Sequence, residues 1–222
     1  MKPIEPVYKE LRNELDAIRK GIEVIAVTKQ VGVERTREAI TAGLGHLGEN
    51  RPEGFLRKFE AIEDEVKWHF IGNLQSRKVK EIINRIDYLH SLDRMSLAKE
   101  IQKRADHVIN CFVQVNVSKE DTKSGILPEE TLEFIKSLEK YDKINVIGLM
   151  TMAPDVKDEE MLRTVFRGLK ALQQEVAEKQ WPHAPCTECS MGMSNDYLIA
   201  AQEGATFVRI GTALIGSESE AE

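Results

Sequence analysis

The strongest constraint on this chain is an alternation repeated eight times along its length. Short runs rich in β-branched and aromatic residues are separated by longer stretches of helical periodicity. The runs are EVIAVTK (23–29), HLGEN (46–50), KWHFIG (67–72), DYLHSLD (87–93), NCFVQVNV (110–117), NVIGLMTM (145–152), TECSMGM (187–193) and TFVRIGTAL (206–214). The second and seventh are weak by composition and are held in the series by their spacing. Of the helical stretches, VERTREAITAG closes on Gly43, DRMSLAKEIQKRADH places Asp93 as an N-cap, and LPEETLEFIKSLEKY opens near Pro128. Residues 158–179 read as one long amphipathic helix, and MSNDYLIAAQEG closes on Gly204. An extra helix over residues 5–20 precedes the first strand.

Strands that alternate with helices pair in parallel through right-handed crossovers. An open doubly wound sheet and a closed barrel both satisfy that rule. Eight strands favour a single (β/α)8 TIM barrel. A chain of 222 residues stands at the short end of that fold's range, which leaves no room for a second domain. One domain over 1–222 is expected, with the polar tail 217–222 frayed. The rival sheet wants a GxGxxG turn after its first strand, and TKQVGVER carries one glycine.

A net charge of −6 gives no support to nucleic acid as the main partner. No window approaches the ~20 apolar residues of a membrane span. The start, MKPIEPVYKELRNELDAIRK, lacks the apolar core of a signal peptide, and three cysteines is an odd number; both fit reduced thiols in a cytoplasmic protein. Cys186 and Cys189, if both lie on the seventh strand, fall on opposite faces and cannot share an ion. The histidines show no HxH or HExxH spacing, so no metal site is expected. His69 and His90 read as interior residues of the third and fourth strands. QSRKVK (75–80) reads as a solvated helix face.

In a TIM barrel the active site lies at the C-terminal ends of the strands. Lys29 is the lysine that finishes a strand there. A lysine drawn out of water beside apolar neighbours becomes a nucleophile for aldehydes and ketones; one that snorkels to solvent is only a surface charge. RIGTALIG (209–216) ends the eighth strand on Gly211 and Thr212, with a short helix after it. SMGMSND adds hydroxyls at Ser190 and Ser194. Two glycine-plus-hydroxyl turns on adjacent strand ends suit a phosphate. Arg209, two residues before Gly211, shares its strand face and pairs with a phosphate, a ring nitrogen, or a surface carboxylate.

VIAVTK, HLGEN, KWHFIGNLQSRK, LHSLD, QVNVSKEDTKSG, GLMTMAP, SMGMSNDY and VRIGT occur in order across nearly the whole chain. In these strings the chain resembles the pyridoxal 5′-phosphate (PLP) homeostasis protein family. The resemblance implies a barrel of the alanine racemase N-terminal type and an intracellular protein that holds PLP reversibly, with delivery to apo-enzymes as a further expectation. It implies a PLP Schiff base on Lys29, Arg209 at the pyridine nitrogen, Gly211, Thr212 and Ser194 at the phosphate, and Asn50, Met150 and Ser190 as pocket lining. Many relatives carry a second lysine where Val31 stands here, which leaves Lys123 as the candidate accessory amine. An arginine cannot accept the pyridine proton, so the cofactor is expected to be a weak electron sink.

The expected protein is therefore a carrier and not an enzyme, and a monomer. The alternative is a low-activity PLP-dependent amino-acid racemase. That alternative wants a tyrosine as second base and a further C-terminal domain, and about a dozen residues follow the eighth strand. An aldolase using Lys29 without a cofactor is the third reading.

Overall fold

In the computed structural model, which describes residues 1–120 and 122–218, all eight β-rich runs form strands. These are β1 (Glu23–Val27), β2 (His46–Glu49), β3 (Lys67–Phe70), β4 (Tyr88–Leu92), β5 (Ile109–Gln114), β6 (Ile144–Met150), β7 (Glu188–Met193) and β8 (Phe207–Ile210). They pair in sequence order, all parallel, and β8 returns to β1 to close the barrel. Val24 stands opposite Val208 and Ala26 opposite Ile210 at that closure. The single (β/α)8 barrel expected from the alternation is the observed fold.

The helices are α1 (Ile4–Ile18), α2 (Val33–Thr41), α3 (Pro52–Ala61), α4 (Val79–Ile82), α5 (Met95–Arg104), α6 (Pro128–Ser137), α7 (Glu159–Ala177), α8 (Tyr197–Gln202) and α9 (Thr212–Ile215). The sequence reading names no helix at α3; Pro52 at its first turn is a start signal that it leaves unused. In α7 the buried residues Leu162, Val165, Phe166, Leu169, Leu172 and Val176 recur at helical spacing. Each such side chain contributes about 1.5–3 kcal/mol on burial. Asp158 caps that helix by accepting from the Met161 amide at 3.1 Å. Asp93 does not cap α5: Arg94 holds the N-cap position, and the Asp93 carboxylate pairs with the Arg94 guanidinium at 2.7 Å. Helix α1 lies across the seam where β8 meets β1. Arg12 donates to the Ile22 carbonyl and Arg19 to the Ala205 carbonyl, each at 2.6 Å.

Alternation along the strands divides the core. Outward residues such as Val24, Leu47, Phe70, Cys111, Leu149 and Val208 pack against the helices. Inward, Ile25, Phe112, Met150 and Phe207 form a separate cluster. Gly148 lets β6 meet β7 closely, since a Cβ there would fall 2.2 Å from the Glu188 carbonyl oxygen. Strand β7 starts at Glu188, so Cys186 lies before it, at φ 47°, and the opposite-face argument for the cysteine pair does not apply. Both thiols are buried, and burial pushes each up to about 12. Of the tail, Glu218 is tied to the loop after β1, accepting from the Gly32 amide at 2.8 Å; residues 219–222 lie outside the described residues. No helix among the described residues is long and apolar enough to cross a membrane.

His69 and His90 are fully buried inside the barrel, and burial lowers the pKa of each well below the ordinary 6.5. Below that value the unfolded chain binds protons that these folded rings do not. Stability is therefore expected to fall as pH drops from about 7 to about 5. Urea unfolding across that range checks this; a midpoint that rises on acidification contradicts it.

Candidate cofactor site

The C-terminal end of β1 is anchored before it reaches the cavity. Thr28 is buried, and its hydroxyl donates to Glu49 Oε1 at 2.6 Å. Lys58 of α3 donates to the Thr28 carbonyl at 2.5 Å and forms an ion pair with Glu49. All three side chains are shielded from water. Burial lowers the Lys58 pKa, and the Glu49 charge opposes that shift. The chain then turns, with the Val31 amide donating back to the Thr28 carbonyl at 3.1 Å, and Lys29 projects from the turn. Lys29 is exposed at the cavity wall, so its own chain does not supply the desolvation expected from the apolar strand.

A cavity of about 560 Å³ opens at the C-terminal ends of the strands. Lys29, Asn50, Ser194, Arg209, Gly211 and Thr212 all line it. Gly72, Asn73, Met152 and Met193 join them from other strand ends. Met150 and Ser190 do not line it, which corrects the expectation for both. Met150 points into the interior cluster with Phe112 and Phe207. Ser190 pairs in register with Phe207, two residues below Arg209, and so sits one layer under the floor.

The loop after β7 owes its path to Gly192, at φ 94°, where a Cβ would fall 2.6 Å from the Ala200 Cβ. The ladder with β8 shifts register between Ser190 and Met193, as at a bulge. Beyond the shift, Ser194 Oγ accepts from the Gly211 amide at 3.2 Å, joining the two turns singled out as a phosphate cradle. Asp196 also lines the cavity; its Oδ1 accepts from the Met193 amide at 2.5 Å. Burial raises its pKa against the pull of that amide and of Arg209. The sequence reading passes over Asp196 and Gln114, although both stand within or beside quoted strings.

Arg209 is buried at the cavity floor, not at the surface. Its Nη1 donates to Ser190 Oγ at 2.6 Å and its Nη2 to the Thr151 carbonyl at 2.9 Å. Burial lowers its pKa to about 10, which leaves it protonated at neutral pH. Both partners are neutral, so the charge is directed by hydrogen bonds without being neutralised by them. A primary amine, an amide-and-hydroxyl turn and a planar cation thus face one space. That donor set suits a molecule carrying a carbonyl and a phosphate.

Removing one partner of the pair beneath Lys29 leaves the other buried and unpaired. Glu49→Ala is expected to cost about 3–5 kcal/mol in urea unfolding, and joint Glu49→Leu with Lys58→Met less. Equal costs for the single and double variants would show that the pair does not act as a unit.

The sequence pattern of the family described as "Alanine racemase, N-terminal domain" matches residues 7–219. A pyridoxal phosphate homeostasis protein of Aquifex aeolicus is 42% identical over 94% of this chain and 96% of its own length. The solved structure of PipY from Synechococcus elongatus with PLP bound superposes with a TM-score of 0.86 at 29% identity, covering 96% of this chain and 100% of that one. Alanine racemase of Corynebacterium glutamicum shares the fold, with a TM-score of 0.72 at 15% identity, over 98% of this chain and 62% of its own. With its closed barrel and its match along almost the entire length, the chain belongs to the pyridoxal phosphate homeostasis protein family, built on the alanine racemase N-terminal barrel.

Proposed function

We propose that this protein binds PLP reversibly through Lys29 and serves in PLP homeostasis in the cytoplasm, as a monomer that hands the cofactor to apo-enzymes. The observation that carries the reading is the convergence of Lys29, Arg209 and the Ser194–Gly211–Thr212 turns on one cavity. When bound, the cofactor supplies an aldehyde that condenses with a primary amine and releases water. Lys29 supplies that amine. Gly211, Thr212 and Ser194 hold the phosphate; among the described residues the Thr212 and Ala213 amides, the first of α9, have no partner within that helix. Arg209 donates toward the pyridine nitrogen and leaves it unprotonated, because a guanidinium has no lone pair to share. Asn50 borders the same space.

Two features argue for a carrier over a racemase. The curated relatives carry the name of a homeostasis protein, with no reaction in it. None of Tyr8, Tyr88, Tyr141 and Tyr197 lines the cavity; Tyr197 instead donates to Glu14 of α1 at 2.5 Å. A second base of the tyrosine type is thus missing from the described cavity wall. Lys123, the candidate accessory amine, is paired with Glu120 at 2.5 Å.

The purified protein is expected to be yellow, and Lys29→Ala to abolish both the visible band and the borohydride-reducible adduct. An adduct kept at full occupancy on another lysine would refute the assignment. With L- and D-amino acids in D₂O, no α-proton exchange is expected. Rapid exchange with any one of them favours the racemase.

A further inference from the structure

Three histidines stand in line inside the barrel, and the function proposed above uses none of them. His46 opens β2, His69 lies in β3 and His90 in β4. His46 Nδ1 is 2.8 Å from His69 Nε2, and His69 Nδ1 is 2.8 Å from His90 Nε2. His90 Nδ1 is 2.9 Å from Ser190 Oγ, the atom that accepts from Arg209. At the far end His46 Nε2 faces Glu23 Oε2 at 3.5 Å. The chain crosses the barrel from a carboxylate at its N-terminal end to the guanidinium at the cavity floor.

The two ends dictate the direction of every link. Arginine only donates, so Ser190 accepts from it and has its own proton to give to His90 Nδ1. A neutral His90 then keeps its proton on Nε2 and donates to His69 Nδ1. His69 does the same toward His46, and His46 Nε2–H points at the Glu23 carboxylate. The reversed chain fails at both ends. It leaves the Ser190 proton without an acceptor among these groups and turns a ring lone pair toward a carboxylate. Burial favours the neutral ring at all three positions. Stacking holds two of them in place: Tyr88 lies 4.3 Å from His69 and Phe112 lies 4.2 Å from His90, centroid to centroid.

We propose that His46, His69 and His90 are positioning residues for Arg209: a chain of Nε2-protonated imidazoles that orients the guanidinium through Ser190 and ties that hold to the charge of His46 at the opposite end of the barrel. A proton added to His46 Nδ1 faces the Nε2–H of His69, donor against donor, and the link must turn round or break. The groups around His46 are Glu23 from β1, Lys67 and His69 from β3, and Asp87 and Tyr88 at the start of β4; Phe207 of β8 adds an uncharged ring. Glu23 and Asp87 favour the cation, while burial and Lys67 oppose it; burial is largest, so His46 titrates below the ordinary histidine range. The chain stands without any cofactor; its consequence for a pyridine nitrogen rests on the reading above.

The test uses ¹⁵N-labelled, cofactor-free full-length protein, so its outcome does not depend on what Lys29 binds. Long-range ¹H–¹⁵N spectra at neutral pH are expected to show the Nε2–H tautomer at all three rings. An Nδ1–H tautomer or an imidazolium at His69 or His90 would overturn the proposal. Acidification through the His46 titration is expected to shift the Arg209 guanidinium resonances in the same step. In His46→Gln, whose Oε1 still accepts from His69 but takes up no proton in this range, that step is expected to disappear while the far-UV circular dichroism is unchanged. A step of full amplitude in that variant contradicts the proposal.

Discussion

The parallel ladder between β8 and β1 closes the sheet, and every functional distance in the molecule depends on that closure. Ala26 opposite Ile210 sets the register. One residue past Ile210 is Gly211, and three past Ala26 is Lys29. Residues about 180 positions apart in sequence therefore enter one cavity from neighbouring strands. A strand pairing slipped by one residue would turn the Lys29 side chain to the other face. Helix α1 lies over this seam, and Arg12 within it and Arg19 at its C-cap grip carbonyls on both sides. The extra helix thus braces the joint on which the site is built.

Around that joint the protein uses buried polar groups in two different ways. Beneath Lys29, a charged pair and a threonine fix the backbone from which the amine projects. Beneath Arg209, the guanidinium donates to two neutral acceptors, and the Asp196 carboxyl of the cavity wall is the charge that acts on it. The two cationic groups accordingly differ in freedom. Lys29 is exposed, which suits the reversible covalent bond proposed for it. Arg209 is buried and directed, which suits the contact with a ring nitrogen proposed for it.

Much of this was legible in the sequence, for identifiable reasons. Short β-rich runs bounded by helical stretches gave the eight strands, because parallel barrel strands are buried on both faces and favour β-branched residues throughout. Strand order then placed Lys29, Asn50, Ser194, Arg209, Gly211 and Thr212 at one rim. What escaped depends on depth and on contacts far apart in sequence. Met150 and Ser190 end up below the cavity floor, because strands tilt in a barrel and equal positions along them do not stand at equal height. Lys58 reads as one more helix-surface lysine, and only the fold shows that it points inward at Glu49. The alignment of His46, His69 and His90 depends on the register of three strands, which no single run reveals.

The central claim is that one small molecule bridges Lys29, Arg209 and the paired turns after β7 and β8. A crystal structure of the protein grown with pyridoxal phosphate tests it most directly. The account predicts density continuous with Lys29 Nζ, with the ring nitrogen toward Arg209 and the phosphate on Ser194, Gly211 and Thr212. Density joined to a different lysine, or a phosphate placed away from those turns, would contradict it.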